Sequence, residues 1–468
     1  MDLEHELPPP HHPRQRPASP RLPTWRRESL RTTLWFLPAI LVAAASLVFL
    51  VTYGLDEAVY RGSLTLPWWI RTGSADAGRQ VLTAIAAAVI TVVGVVFSIT
   101  ILALTLASQQ FGPRMLRNFT RDTGTQLTLG SFVATFVYAV LSLGSITNRR
   151  QGEFVPHISI TVALVLMVGD LLVLIYFIHH IAKSIQLPEV IAGIARDLGR
   201  AIDAEYPDAA GEPGADSMRP DPPAAELVAR IREEGVRVPA TASGYLQFVG
   251  YAELAAIAEG ADAVILLAHR PGHFIVAGRP LATVWPRQAA GRVAMALERA
   301  HVTGPHRTLI QDPVFAIDQL VEIAIRALSP AVNDTFTALT CIDWLCDGLC
   351  KISGRDLTEG VYRDRSGRVR LIEVAPSYAR MVNRAFDKIR QAGRGMPAVA
   401  IRQVDALARI MEYTADPARR AALLRQADMI LRATTEAIPE AEDRMLVEAR
   451  YEEVLALAAR GNAVRLAP

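Results

Sequence analysis

VLTAIAAAVITVVGVVFSITILALTL, residues 81–106, exceeds the width of a bilayer core without one charged side chain. A helix needs about 20 apolar residues to cross the hydrocarbon. Backbone polar groups left unpaired in lipid cost several kcal/mol, so a run of this kind crosses as a helix. Working outward, three more segments share its character: Leu34–Gly54, Leu127–Ile146 and Ser159–Ile181, each free of Lys and Arg. One such run is compatible with a buried helix of a soluble protein. Four in close succession read as a membrane bundle.

The rest of the 468 residues reads differently. Hydrophobic side chains make up 51% of the chain and mean hydropathy is +0.23, but the excess lies before residue 182. Beyond it, charge density is that of an ordinary soluble domain. The formal net charge of +2 provides no global field for nucleic acid, so no nucleic-acid partner is expected. Three cysteines, all within Cys341–Cys350, argue against an oxidised, disulfide-stapled scaffold. Residues 1–30 are polar and rich in Pro, which predicts a disordered tail. No cleavable signal peptide is expected there, because the first apolar run starts late and is too long for a signal core.

Arginine placement sets the expected orientation. Arg14, Arg16, Arg21, Arg26, Arg27 and Arg31 precede the first span, Arg114, Arg117 and Arg121 follow the second, and Lys183, Arg196 and Arg200 follow the fourth. The other two loops carry fewer: Arg61, Arg71 and Arg79 in one, Arg149 and Arg150 in the other. Both termini of this multi-pass chain are therefore expected in the cytoplasm. The loop from Asp56 to Arg79, with Trp68 and Trp69 suited to the interface, is expected outside.

Within the spans, the second is the most informative. Ala87, Thr91, Gly94, Ser98, Ile101 and Thr105 recur at steps of four and three, one face of a helix lined by mostly small and weakly polar side chains. Such a face suits close helix packing or a hydrated path, so Thr91, Ser98 and Thr105 are candidate functional residues. Asp170, near the middle of the fourth span, is the other intramembrane candidate, because a carboxylate at that depth is costly unless protonated, paired or hydrated. Ser98 is its first expected partner, both being mid-span. His179 and His180 close the fourth span and suit either headgroup contact or proton relay. Ser108–Asp122 reads as an amphipathic interfacial helix in which Arg114, Arg117 and Arg121 would contact lipid or another anion.

The expected fold is thus a membrane α-helical bundle of about four transmembrane helices plus a cytoplasmic α+β domain. Its parts are the tail over 1–30, the transmembrane domain over 31–182, a helix and linker over 183–243, a small β module over 244–288 and a mainly helical domain over 289–468. PGHFIVAGRPLATV, residues 271–284, resembles half of a barrel-sandwich module of the lipoyl or biotinyl type. It lacks the tip lysine, so no prosthetic group is implied. His269 and His273 flank its turn but are not a full metal-ligand set. Cys346 and Cys350 share a helical face and fit no zinc spacing, so buried structural thiols are expected. No phosphate loop, dinucleotide turn, nucleophile elbow or His-Glu-x-x-His is present. The chain is therefore expected not to be an enzyme, and no catalytic residue, metal or cofactor is assigned.

FSITILALTLASQQFGPRMLRNFTRDTGTQLTLGSFVATFVYAVLSL, residues 97–143, resembles the hallmark stretch of a bacterial family of predicted membrane proteins, domain of unknown function 2254. FVPHISI, FIHHIAKSIQ and RTLIQDPVFAIDQLVEIAIRALSPAVNDTFTA extend the resemblance from about Arg31 to about Leu349. Ala331 and Thr335 depart from the Gly and Pro that it leads one to expect. The resemblance implies a multi-span inner-membrane protein with a cytoplasmic domain and implies no activity. From the residues, two classes of function stand: an oligomeric channel or transport-type protein with a cytoplasmic regulatory domain, or a non-transporting membrane-anchored sensor or scaffold. A membrane enzyme is a third. The expected partners are the lipid bilayer, further copies of the chain as a homo-oligomer, and an unidentified small ligand of the cytoplasmic domain.

Overall fold

The computed structural model describes residues 35–65, 67, 74–111, 122–149, 152–206, 225–355, 357, 360–374 and 377–460. These divide into two compact units, one ending at Val190 and the other beginning at Ile191. The expected tail over 1–30, Trp68 and Trp69, the Arg114–Arg121 helix and the linker at 207–223 lie outside the described residues.

The first unit is an up-and-down bundle of α1 (Phe36–Tyr60), α2 (Ala75–Phe111), α3 (Thr123–Gly144) and α4 (His157–Ser184). All four are long and apolar enough to cross a membrane. A short antiparallel hairpin, β1 (Thr147–Arg149) and β2 (Gly152–Phe154), joins α3 to α4. The helices run past the apolar segments into flanking polar turns. Asp56, read as the start of an outer loop, instead lies within α1, where it is buried.

α3 is the central helix. It packs against α1, α2 and α4, and 44% of its most apolar window is buried, against 6–22% for the others. Gly130 makes this possible, since a Cβ there would meet the Pro38 Cα of α1 at 3.0 Å. Leu82, Ile85, Val89, Phe132, Tyr138, Ile160 and Phe177 form the bundle core. At the hairpin end Phe154 is fully buried, with edge-to-face contacts to Tyr53 and Tyr60 at 5.6 and 5.5 Å.

The second unit is α+β. It opens with α5 (Leu187–Glu205), whose Ile191, Ile194, Leu198 and Ile202 are buried at helical spacing, followed by α6 (Ala225–Glu234). A five-stranded sheet has the order β3 (Val236–Pro239), β7 (Pro280–Trp285), β5 (Val264–Leu267), β10 (Val369–Ile372), β9 (Val361–Arg363). Its pairings are antiparallel except β5 with β10, which are parallel. β4 (Gly244–Val249) stands between β6 (Phe274–Ile275) and β8 (His301–Gly304) in a separate antiparallel sheet. α7 (Tyr251–Gly260) and α8 (Ala290–Arg299) share one core with these strands through Leu254, Ala258, Val293 and Leu297.

This corrects the expected β module. Residues 244–288 do not form one β module, since α7 interrupts them, and the 271–284 stretch is not half of a barrel, since β6 and β7 belong to different sheets. Three strands, β8, β9 and β10, lie within the region expected to be mainly helical. Beyond β8, α9 (Pro313–Ala327), α10 (Thr335–Ser353), α11 (Tyr378–Ala392), α12 (Pro397–Glu412), α13 (Pro417–Ala437) and α14 (Ala441–Arg460) form the helical layer. Ile323 is buried, as α9 requires, and Asp334 caps α10 by accepting from the Thr337 amide at 3.1 Å. In the intervening turn Pro330, Ala331 and Val332 are exposed.

Candidate functional site

Along α3 the residues Thr125, Thr128, Ser131, Thr135, Tyr138 and Ser142 follow one another at steps of three or four. That spacing keeps them on one helical face. All are buried except Ser131, which is half-buried. From Asp122 at the N-cap to Ser142 the row spans about 30 Å at about 1.5 Å per residue, the thickness of a hydrocarbon core. Because α3 is the inner helix, this polar face points into the bundle and meets α1 and α4.

At one end Asp122 caps α3. Its carboxylate accepts from the Gly124 amide at 3.3 Å, the Thr125 amide at 3.0 Å and the Thr125 hydroxyl at 2.6 Å. His180 of α4 places Nε2 2.8 Å from the same carboxylate. Burial pushes the Asp122 carboxyl up, but the Thr125 and His180 hydrogen bonds outweigh it and hold the group below the usual range. His179, its neighbour, is exposed.

In the middle stands Asp170, thirteen residues from the start of α4, fourteen from its end and only 3% exposed. The Ser131 hydroxyl donates to its Oδ1 at 2.6 Å, and Thr135 lies beside the same carboxyl. Its Oδ2 is buried and makes no hydrogen bond.

At the hairpin end the row continues into a four-residue network. Tyr138 and Thr52 share a hydrogen bond of 2.8 Å, the Ser159 and Thr52 hydroxyls lie 3.1 Å apart, and Ser159 donates to Asp56 at 2.7 Å. Asp56 also accepts from the Ile158 and Ser159 amides at 2.8 and 3.0 Å. These are orphan donors of the first turn of α4, whose N-cap position is held by Pro156, which has no side-chain acceptor. An aspartate on α1 therefore caps α4 from a distance. Ser142, one turn beyond Tyr138, has a buried hydroxyl with no hydrogen bond.

The stripe on the second span lies elsewhere. Ala87, Thr91, Gly94, Ser98, Ile101 and Thr105 all face outward from the bundle. Thr91, Ser98 and Thr105 each return their hydroxyl to the carbonyl four residues earlier, at 2.7, 2.8 and 2.9 Å. Ser98 is therefore not the partner of Asp170, and Ser131 is. Asp56, Asp122 and the α3 hydroxyls were missed. The signal was present in the three-and-four spacing of hydroxyl residues in TGTQLTLGSFVATFVYAVLS, residues 123–142. Arg114, Arg117 and Arg121 lie outside the described residues.

The second unit has its own buried polar centre, built from the 307–318 stretch. Arg307 donates through Nε to Asp312 at 2.8 Å and also pairs with Asp318, to which Arg384 of α11 donates through Nη2 at 2.8 Å. Burial pushes the Asp312 carboxyl up, against the pull of Arg307 and Arg270. Gly272, at φ +90°, lies against Asp312, where a Cβ would come within 2.1 Å of its Oδ2. The Gln311 amide imitates a strand partner, accepting from the Val249 N–H at 2.8 Å and donating to its carbonyl at 3.1 Å. His273 is lowered to about 4 by burial and by nearby Arg270. His269 and His273 lie 5.9 Å apart, ring to ring, and no cluster of three or more metal-ligating side chains occurs among the described residues. Cys341, Cys346 and Cys350 are buried and unpaired, and burial pushes the Cys341 thiol up to about 12.

A family model described as "Predicted membrane protein (DUF2254)" matches residues 31–409. An uncharacterized protein of Mycobacterium tuberculosis (strain H37Rv) is 33% identical over 394 residues, which cover 82% of this chain and 74% of the relative. An uncharacterized protein of Mycobacterium bovis matches with the same identity and coverage. No solved structure matches this chain.

Proposed function

We propose that this chain, which belongs to the DUF2254 family of predicted membrane proteins, is a transport-type protein of the bacterial inner membrane that passes protons along the α3 ladder. The observation that carries this reading is the buried Oδ2 of Asp170, without a hydrogen bond in the middle of a span. An amide would satisfy Ser131 equally well, so hydrogen bonding alone gives no reason for an ionisable group at a depth where charge is costly. A carboxyl can take a proton on the free oxygen and hand it on. Hydroxyls one helical turn away on either side, about 5 Å along the axis, are within reach of single bridging waters. Ionisable groups stand at both ends of the row: Asp56 at one, Asp122 with His180 at the other.

The remaining parts of the reading follow from the sequence. Arginine placement supports cytoplasmic termini, with the α+β unit inside as a regulatory domain. The outward face of α2, open beside Gly94, suits a second copy of the chain, since small residues let helices approach closely in lipid. The test is flux. Purified protein reconstituted in vesicles containing a pH-sensitive dye should acidify the lumen when a potassium diffusion potential is imposed, and protein-free vesicles should not. Intact, oriented protein with no flux above that control would refute proton passage and leave the membrane-anchored scaffold as the better reading.

A further inference from the structure

Away from the polar centre of the α+β unit, the end of α11 and the C-terminal half of α13 line a groove of about 350 Å³. Its walls are arginines: Arg390 and Arg394 from one side, Arg432 from the other, with Met429 and Ala433 between them. Glu436 at the rim is the one carboxylate of the lining.

These guanidiniums are incompletely used by the protein. The Nε of Arg390 is buried and makes no hydrogen bond. Its Nη2 reaches Asp387 only at 3.5 Å, and the same Asp387 oxygen already accepts from Gln426 at 2.9 Å. Leaving a buried charged donor without a partner is costly, so this position favours an acceptor group. Arg394 pairs with Glu436 at 2.9 Å, but both side chains are more than half exposed, at 56% and 64%, and such pairs open readily. Arg432 has no carboxylate partner among the described residues. The C-terminal dipoles of α11 and α13 each oppose an anion by roughly 0.3–1 kcal/mol, less than three guanidiniums contribute.

We infer that this groove binds a small phosphate-bearing molecule, with Arg390 and Arg432 holding the phosphoryl oxygens and Met429 with Ala433 carrying its less polar part. The guanidinium fork matches phosphate oxygens two at a time. The volume lies at the small end of ligand pockets, roughly 300–1,000 Å³, which favours a compact soluble ligand over a lipid. The site lies within one unit and does not depend on what the membrane helices transport.

The test uses the full chain in detergent micelles with inorganic pyrophosphate as probe, at constant ionic strength set with chloride. Calorimetry should show saturable binding. Arg432→Gln alone should weaken it several-fold, and Arg390→Gln combined with Arg432→Gln at least tenfold. Arg279→Gln, an exposed arginine far along the sequence, should leave it unchanged. Arg432 is exposed, so its variant tests the site even if the double variant folds poorly. Absent saturable binding, or equal affinity in Arg432→Gln and wild type, would overturn the assignment. So would a response confined to phosphatidic acid in nanodiscs, which would make the ligand a lipid headgroup.

Discussion

Replacing Asp56 by Ala removes the acceptor that α1 supplies to the start of α4. The structure gives that carboxylate three donors: the Ile158 amide at 2.8 Å, the Ser159 amide at 3.0 Å and the Ser159 hydroxyl at 2.7 Å. Loss of an ordinary N-cap costs about 0.5–2 kcal/mol. Here water does not replace the acceptor, because Asp56 is only 2% exposed, and each buried donor left unpaired adds about 1–3 kcal/mol. Ser159 retains Thr52 as an alternative acceptor, so the two amides dominate. The expected loss is about 2–4 kcal/mol for Asp56→Ala. Asp56→Asn, which keeps one accepting oxygen, should lose about half as much. SDS-titration unfolding in micelles, followed by circular dichroism, measures both. Asp76→Ala at the start of α2 is the control: it breaks an exposed pair with Arg79 worth about 0.2–1 kcal/mol. If Asp56→Ala unfolds at the same SDS fraction as Asp76→Ala, the inter-helix cap does not hold the bundle.

Three further outcomes follow from named contacts. Gly130→Ala should destabilise the bundle by about 1–3 kcal/mol in the same titration, because its Cβ meets backbone at Pro38, and a neutral result would mean that α1 and α3 pack less closely. Gln311→Ala should lower the stability of the α+β unit by about 2–4 kcal/mol by orphaning both polar groups of Val249, read as faster limited proteolysis after α7; unchanged cleavage would refute that role. His273 is held near 4, below its ordinary 6.5, so it favours folding above pH 6.5 and loses that contribution as pH falls from 6.5 towards 4. His273→Asn should therefore flatten the fall in melting temperature across that window, and an unchanged slope would assign the pH dependence to other groups.

The membrane spans were legible because backbone satisfaction in lipid leaves the sequence little choice. What each polar residue does within them was not. Asp56 and Ser159 lie 103 residues apart, and no local pattern says that one caps the helix begun by the other. The α2 stripe and the α3 ladder have nearly the same spacing, yet one faces outward and the other inward, and only packing separates them. In the α+β unit, strands β8 to β10 escaped because each is four residues or fewer and β10 enters its sheet beside a partner more than a hundred residues earlier. Asp170 was legible on its own, since an acid in a span stands out by cost alone, but its partner was not.

The central claim rests on the free oxygen of Asp170, and Asp170→Asn is the most direct test of it. The amide keeps the volume and can still accept from Ser131, so the bundle should assemble and unfold as the wild type does. It cannot carry a proton. In dye-loaded vesicles at matched protein density, the account predicts at least a tenfold loss of potential-driven proton flux in Asp170→Asn with an unchanged SDS-titration midpoint. Wild-type flux in that variant would contradict it and would reduce Asp170 to a structural partner of Ser131.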